Sequence, residues 1–497
     1  MRKIIVIGAG FSGLSAAAYL AAKGFEVHVY EKNASAGGRA SQMKTSSGYV
    51  FDMGPSWYWM PEVFEKFFND FGFKANDFYE LDLLNPGFEI VFPKGELMKI
   101  PASFEELCNL FESVETGAAE QLREFMKEAK YKYDTGMGSL SSMPGNSVTE
   151  FMKPDLIKGF FRLQIFSSFK EHIQSHFKDP RLLSIMEFPV IFLGAMADKM
   201  PALYSLMNYA GLKLGTWYPQ GGFGAVVESM VKVGKREGVH FHYNSGVDKI
   251  LVSENRVRGI EVDGEIIEAD AIIATADYHF VEKELLPEEF RNYPESYWDK
   301  KTLAPSSLIF YLGISKKLDK LEHHTLFFDE DLELHTKEIY DDPQWPTKPL
   351  FYVCCPSKTD KKVAPVGHEN LFILMPLAAG IEDTKELRNQ YFDILMKRLE
   401  SHAGEKISEY IDFNKSYCIN DFLYDYNSYK GNAYGLANTL RQTAILKPKM
   451  KNRKLKNLFY AGQLTVPGPG VPPSIISGKM AATQLIKHLK RTHETII

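Results

Sequence analysis

The chain opens on a short, continuously apolar run, Lys3 to Ile7, of the kind that is buried on both faces in a parallel sheet. From Gly13 to Lys23 the residues are mostly Ala and Leu, which predicts a helix, and Gly24 is placed to terminate it. The next run, "EVHVYE", alternates apolar and polar and predicts a second strand closing at Glu31. A strand, a helix and a strand in this order make a β-α-β unit.

Two later stretches repeat the same periodicities. "YPQGGFGAVVESMVKVGKREGVHFHYNSGVDKILV" predicts a Gly-rich turn, a helix ending at Gly238, a strand, and a further strand opened by Val247. "RVRGIEVDGEIIEADAIIATAD" reads as a meander with a turn at Asp263-Gly264, returning the chain to the opening unit near Ala274 to Asp277. Near the end, "LKNLFYAGQLTVPGPGVPPSIISGKMAATQLI" gives a buried strand, a rigid Pro-Gly turn and a helix beginning near Ser474.

Length and composition narrow the classes. With 497 residues the chain can bury a large core and divides into two or three structural units. The net charge of -5 carries no polyanion-binding signature, so no nucleic-acid partner is expected. The four cysteines, Cys108, Cys354, Cys355 and Cys418, form no C-x-x-C pair and read as buried thiols in a reducing compartment. The basic, apolar N-terminus imitates a secretory leader, but it runs straight into the strand at "EVHVYE". No segment offers about 20 uninterrupted apolar residues, so no spanning helix is expected. The 35 Phe and 18 Met fit either a large core or extra apolar surface for a greasy ligand.

Gly8, Gly10 and Gly13 stand in the spacing G-x-G-x-x-G between the first strand and its helix. In that context one glycine permits the turn, one lets a pyrophosphate approach the backbone, and one lets helix pack on strand. The phosphates then face the helix N-terminus. Glu31, eighteen positions after Gly13, is where an acid accepts hydrogen bonds from ribose hydroxyls, and its charge disfavours a 2′-phosphate.

Directly after that acid, "NASAGGRA" with Gly37, Gly38 and Arg39 resembles the extended fingerprint of FAD-dependent amine oxidases and carotenoid desaturases. "FDMGPSWYWMPEVFEKFF", "HHTLFFDED", "CCPSKTDKKVAPVGHENLFILMP", "KGNAYGLANTL" and the C-terminal Pro-Gly turn extend the likeness over nearly the full length. The chain is thus similar to the bacterial phytoene desaturase family.

That resemblance implies FAD as cofactor. Its implied contacts come first from Gly8, Gly10, Phe11, Ser12 and Gly13, with Glu31 and Lys32 at the second strand end. Gly38, Arg39, Gly54, Pro55 and Ser56 follow, Arg39 being a diphosphate or flavin-side contact. Val247 is implied to hold the adenine by its backbone, and Gly462, Gln463, Gly470, Val471 and Pro472 to face the isoalloxazine. A helix starting there points its positive end at the pyrimidine edge, favouring the reduced anion.

The implied architecture is α/β: a Rossmann-like FAD-binding domain, a parallel sheet with a β-meander, plus an α+β substrate domain with a helical, membrane-facing part. The FAD-binding pieces are assigned to residues 1–89, 216–299 and 431–497, and the substrate pieces to 90–215 and 300–430. The implied function is desaturation of a long apolar polyene such as phytoene, with oxygen or a quinone as electron acceptor. The implied place is cytoplasmic, peripheral on the cytoplasmic membrane. Other carotenoid desaturases, a cis-trans isomerase of the same fold, and a lipid-binding protein of the Rab GDP-dissociation-inhibitor type remain open alternatives.

An allylic C–H bond has no useful acidity, so the chemistry calls for hydride transfer to flavin N5, with alignment and water exclusion left to the protein. In keeping with that, the chain shows no nucleophile elbow, no H-E-x-x-H and no triad, and a catalytic side chain stays unassigned. His323 and His324 are adjacent in a strand, where neighbours point to opposite faces, so no metal site is expected. Residues 151 to 177 interleave six Phe with Lys153, Lys158, Arg162 and Lys170, fitting either an interfacial helix or a core-packed one. The Met-rich, aromatic segment that follows is a candidate wall for an apolar tunnel.

Overall fold

The computed structural model describes residues 1–140, 143, 163–164, 167–191, 194–439 and 441–494. The apolar run at the N-terminus forms the strand Lys3–Ile7, and it sits at the centre of a five-stranded, wholly parallel sheet. The order across the sheet is Leu458–Tyr460, Ala271–Ala274, Lys3–Ile7, Glu26–Tyr30, His240–His242. Such strands are covered on both faces, which is why Ile4, Ile5 and Val6 are all fully buried. The chain leaves the central strand toward one neighbour and returns later on the other side, and a ligand crevice forms outside the strand ends where that reversal occurs.

Two helices cover one face. Phe11–Ala21 begins two residues before the expected start, because Gly10 in extended conformation serves as its N-cap. The helix Val471–Glu494 begins three residues before Ser474, since Pro472 and Pro473 fit a first turn whose N–H groups need no intrahelical partner. The two helices pack closely: a Cβ on Gly478 would lie 2.2 Å from the Ser12 carbonyl oxygen, and Ser15 Oγ donates to Ile475 O at 2.7 Å. Helix Gly222–Arg236 also packs against Phe11–Ala21 and stops before Gly238, as its sequence predicts.

The meander is present as strands Lys249–Ser253, Arg256–Val262 and Glu265–Glu268. Asp263 and Gly264, both with positive φ, make its tight turn. Val247 lies two residues before the first of these strands rather than opening it. A second, seven-stranded sheet runs in the order Ile411–Tyr417, Ser306–Ile314, Glu369–Leu377, Phe351–Cys354, His324–Phe327, Phe88–Val91, Leu97–Ile100. Its Phe88–Val91 strand crosses the boundary expected at residue 89. All four cysteines are buried free thiols. Among the described residues no helix is long and apolar enough to cross a membrane. Residues 151–162 and 165–166 of the basic, aromatic segment lie outside the described residues.

Candidate functional site: a cavity with a polar and an apolar end

A cavity of ≈ 420 Å³ opens between the two sheets, at the C-terminal ends of the parallel strands. Of the eighteen residues expected to hold the cofactor, seventeen line it. They are Gly8, Gly10, Phe11, Ser12, Glu31 and Lys32 from the first unit; Gly38, Arg39, Gly54, Pro55 and Ser56 from the following loops; and Val247, Gly462, Gln463, Gly470, Val471 and Pro472. Gly13 does not. Its position instead touches the first turn of the fold, where an added Cβ would sit 2.0 Å from Gly8 O.

At the polar end, Glu31 is 6% exposed and each of its oxygens accepts a backbone amide: Ala9 N at 2.8 Å and Asn33 N at 2.9 Å. Burial pushes its carboxyl above the usual range, and those two amides pull the other way. The glycine loop and the Arg39 loop are stitched together by a Gly37 N to Ala9 O bond of 2.9 Å and a parallel bridge between Gly10 and Gly37. Arg39 donates through Nη2 to Ser428 Oγ at 2.9 Å and to Asn432 O at 3.3 Å, and lies over the Tyr426 ring. Burial lowers the Arg39 guanidinium pKa, with Asp277 acting against it, and burial raises that of Asp277.

Two buried atoms there have no hydrogen-bond partner, Arg39 Nε and Asp277 Oδ2, both on residues that line the cavity. A Cβ on Gly10 would meet nothing within 4 Å. Orphaned donor and acceptor atoms beside an open glycine cradle at a helix N-terminus fit a ribose-diphosphate group. The end of helix Val471–Glu494 closes the cavity with Gly470, Val471, Pro472 and Ser474. Behind that turn the Lys447 ammonium is 3.4 Å from where a Gly468 Cβ would be, and burial pushes its pKa down to about 7.

The apolar end is walled by Trp57, Trp59, Met60, Pro189, Met207, Ile309 and Leu374, so two residues of the Met-rich segment do face the cavity. Its ionisable groups are the phenols Tyr352 and Tyr434, whose pKa values burial raises, so both stay protonated near neutrality. Trp57 stacks on His324 at 4.1 Å, and His324 Nδ1 is 2.6 Å from Tyr352 Oη, which donates to Ser56 Oγ at 3.0 Å.

The cavity also recruits residues that sequence reasoning passed over: Tyr30, Asp277, Tyr278, Asp425, Tyr426 and Asn427. Asp277 carried a signal, an acid just beyond a buried strand parallel to the first. Asp425 to Asn427 carried none, because the helix Ile419–Tyr426 reaches the polar end only through tertiary packing.

The pattern of flavin-containing amine oxidoreductases matches residues 11–486. A carotenoid 3,4-desaturase of Haloarcula japonica is 38% identical over 487 residues, covering 98% of both chains. A zeta-carotene-forming phytoene desaturase of Myxococcus xanthus is 28% identical over 493 residues, 98% of this chain and 94% of that one. Among solved structures, an oxidoreductase from Methanosarcina mazei superposes with a TM-score of 0.63 at 16% identity, over 98% of this chain and 100% of the other. Cyclohexylamine oxidase from Brevibacterium oxydans gives 0.59 at 14%, over 98% and 99%. These two speak for the fold alone.

Proposed function

The chain belongs to the flavin-containing amine oxidoreductases, within their carotenoid desaturases, and from that premise we propose that this FAD-dependent oxidoreductase converts phytoene toward lycopene. The observation that carries the reading is the two-ended cavity, polar where Glu31, Arg39 and Asp277 meet and apolar where Trp57, Trp59 and Leu374 meet. FAD, when bound there, would supply a two-electron acceptor for a hydride from an allylic carbon.

The protein's part is positional. Glu31 and Val247 would hold the adenosine half, the open face of Gly10 and the Arg39 loop the diphosphate, and the Gly462–Pro472 turn would face the ring, all of them lining the cavity. The positive end of the Val471–Glu494 helix favours negative charge on that ring. Trp57, Trp59, Ile309 and Leu374 align the polyene and keep water from the cation that forms as hydride leaves. We assign residues 1–89, 216–299 and 431–497 to cofactor binding and 90–215 and 300–430 to substrate, with the enzyme peripheral on the cytoplasmic membrane and oxygen or a quinone taking the electrons.

A second reading has its own support: the Haloarcula japonica relative, at 38% identity, is a 3,4-desaturase, so a later carotenoid is an alternative substrate. Product analysis in cells that accumulate phytoene separates them. Red-shifted polyenes formed at the expense of phytoene support the first reading; unchanged phytoene with consumption of a later carotenoid overturns it in favour of the second.

A further inference from the structure

His323 and His324 do not point apart. The strand begins only at His324, so alternation is not yet established at His323, and the two rings meet edge to face with centroids 4.5 Å apart. A ring nitrogen of each and Cys354 Sγ, on the neighbouring strand, all lie within 4.8 Å of one another, and all three residues are buried. Each histidine spends Nδ1 on a hydroxyl: Thr359 Oγ1 at 2.7 Å for His323 and Tyr352 Oη at 2.6 Å for His324. Each leaves Nε2 buried without a hydrogen-bond partner. An unsatisfied buried polar atom is costly. One ring nitrogen fixed by an outer partner and the other left free is how metal-binding histidines are held.

We propose that His323, His324 and Cys354 form a binding site for a zinc-class divalent cation. Two imidazoles and a thiolate are the donors such a cation takes, leaving a fourth position open. A small cavity of ≈ 20 Å³ beside Cys354, lined also by Asp52, Ser56 and Tyr218, has room for about one water next to the thiol. Binding breaks the Cys354 S–H bond, forms a sulfur–metal bond and releases the proton to solvent. Thiolate and cation together carry a single positive charge, opposite the Asp52 carboxylate across the same small cavity. With metal bonds of about 2.0–2.3 Å the ligand atoms of a tetrahedral site stand roughly 3.3–3.6 Å apart, so pairs at the 4.8 Å limit close by about 1.2–1.5 Å on binding. Because His324 stacks on Trp57 and bonds Tyr352, both in the cavity wall, the cation braces that wall from behind.

The test uses the full-length, FAD-loaded protein incubated with Zn(II), desalted, and measured for zinc by elemental mass spectrometry. The expected result is about one zinc per chain, absent in Cys354→Ser and in His324→Gln. Should those variants not fold, the wild type titrated with Co(II) decides, since a thiolate ligand adds a charge-transfer band to the difference spectrum. No retained zinc and no cobalt band overturns the site. So does equal zinc in a folded Cys354→Ser, which would place the metal elsewhere, for instance at His28 and His242. Metal content is read without turnover, so the result stands whatever carotenoid the enzyme uses.

Discussion

A Cβ on Gly13 would lie 2.0 Å from the carbonyl oxygen of Gly8, whereas the same atom on Gly10 would enter empty cavity. The two glycines of one motif therefore serve different ends. Gly13→Val is expected to abolish soluble, folded protein. Gly10→Val, at a backbone of φ -72° open to any residue, is expected to fold and purify colourless. Circular dichroism and flavin absorbance on the two variants check this; a yellow Gly10→Val would displace the diphosphate from this turn.

Glu31→Gln tests the second strand end. Both carboxylate oxygens accept backbone amides, and an amide side chain supplies only one acceptor, leaving Ala9 N or Asn33 N facing a donor. The expected loss is about 1–3 kcal/mol, or roughly 5–150-fold in FAD affinity, by equilibrium fluorescence. Unchanged affinity would mean that this carboxylate carries no weight in cofactor binding.

Lys447 gives a pH signature. Its ammonium has an ordinary value of 10.5 and burial lowers it to about 7, so between those values the unfolded chain holds a proton the folded chain lacks. Stability then rises with pH across that window, and below about pH 7 the folded state bears the full cost of a buried charge. Lys447→Met is expected to stabilise the protein, by on the order of a few kcal/mol at pH 6 and by much less at pH 10. Denaturant melts at the two pH values measure it; equal effects would contradict the assignment.

Trp59→Ala opens the apolar end. The indole is buried, its Nε1 donates to Thr216 Oγ1 at 3.0 Å, and a Cβ on Gly211 would sit 2.7 Å from its ring. Truncation is expected to cost about 3–5 kcal/mol of stability. FAD should be retained while kcat/KM for a carotenoid falls at least about tenfold through lost alignment. Loss of flavin instead would move the polar end of the cavity to this side.

The parallel sheet was readable because its central strand is a short, β-branched apolar run stopped by a glycine and its neighbour Glu26–Tyr30 alternates, lengths and flanks that separate both from the helix between them. Cavity-lining residues were readable where they cluster in loops with a mechanical need for glycine, as at Gly8 to Ser12 and Gly37 to Arg39. Reading failed where position depends on packing between distant segments. Asp425 to Asn427 reach the cavity on a helix whose sequence says nothing of its destination. The His323 and His324 rings meet rather than point apart for a related reason: the strand begins only at His324, one residue after alternation was applied.

The contact between Gly478 and Ser12 sets an order of events during synthesis. The first turn of the cofactor cradle leaves the ribosome some 460 residues before the helix that closes it. Until Val471–Glu494 emerges, one face of Phe11–Ala21 has no cover and the cavity lacks a wall. Flavin capture is thus expected to wait for the helix Val471–Glu494. Stalled chains that stop short of Val471 should hold no FAD, and flavin retained by them would show that the N-terminal unit forms the site unaided.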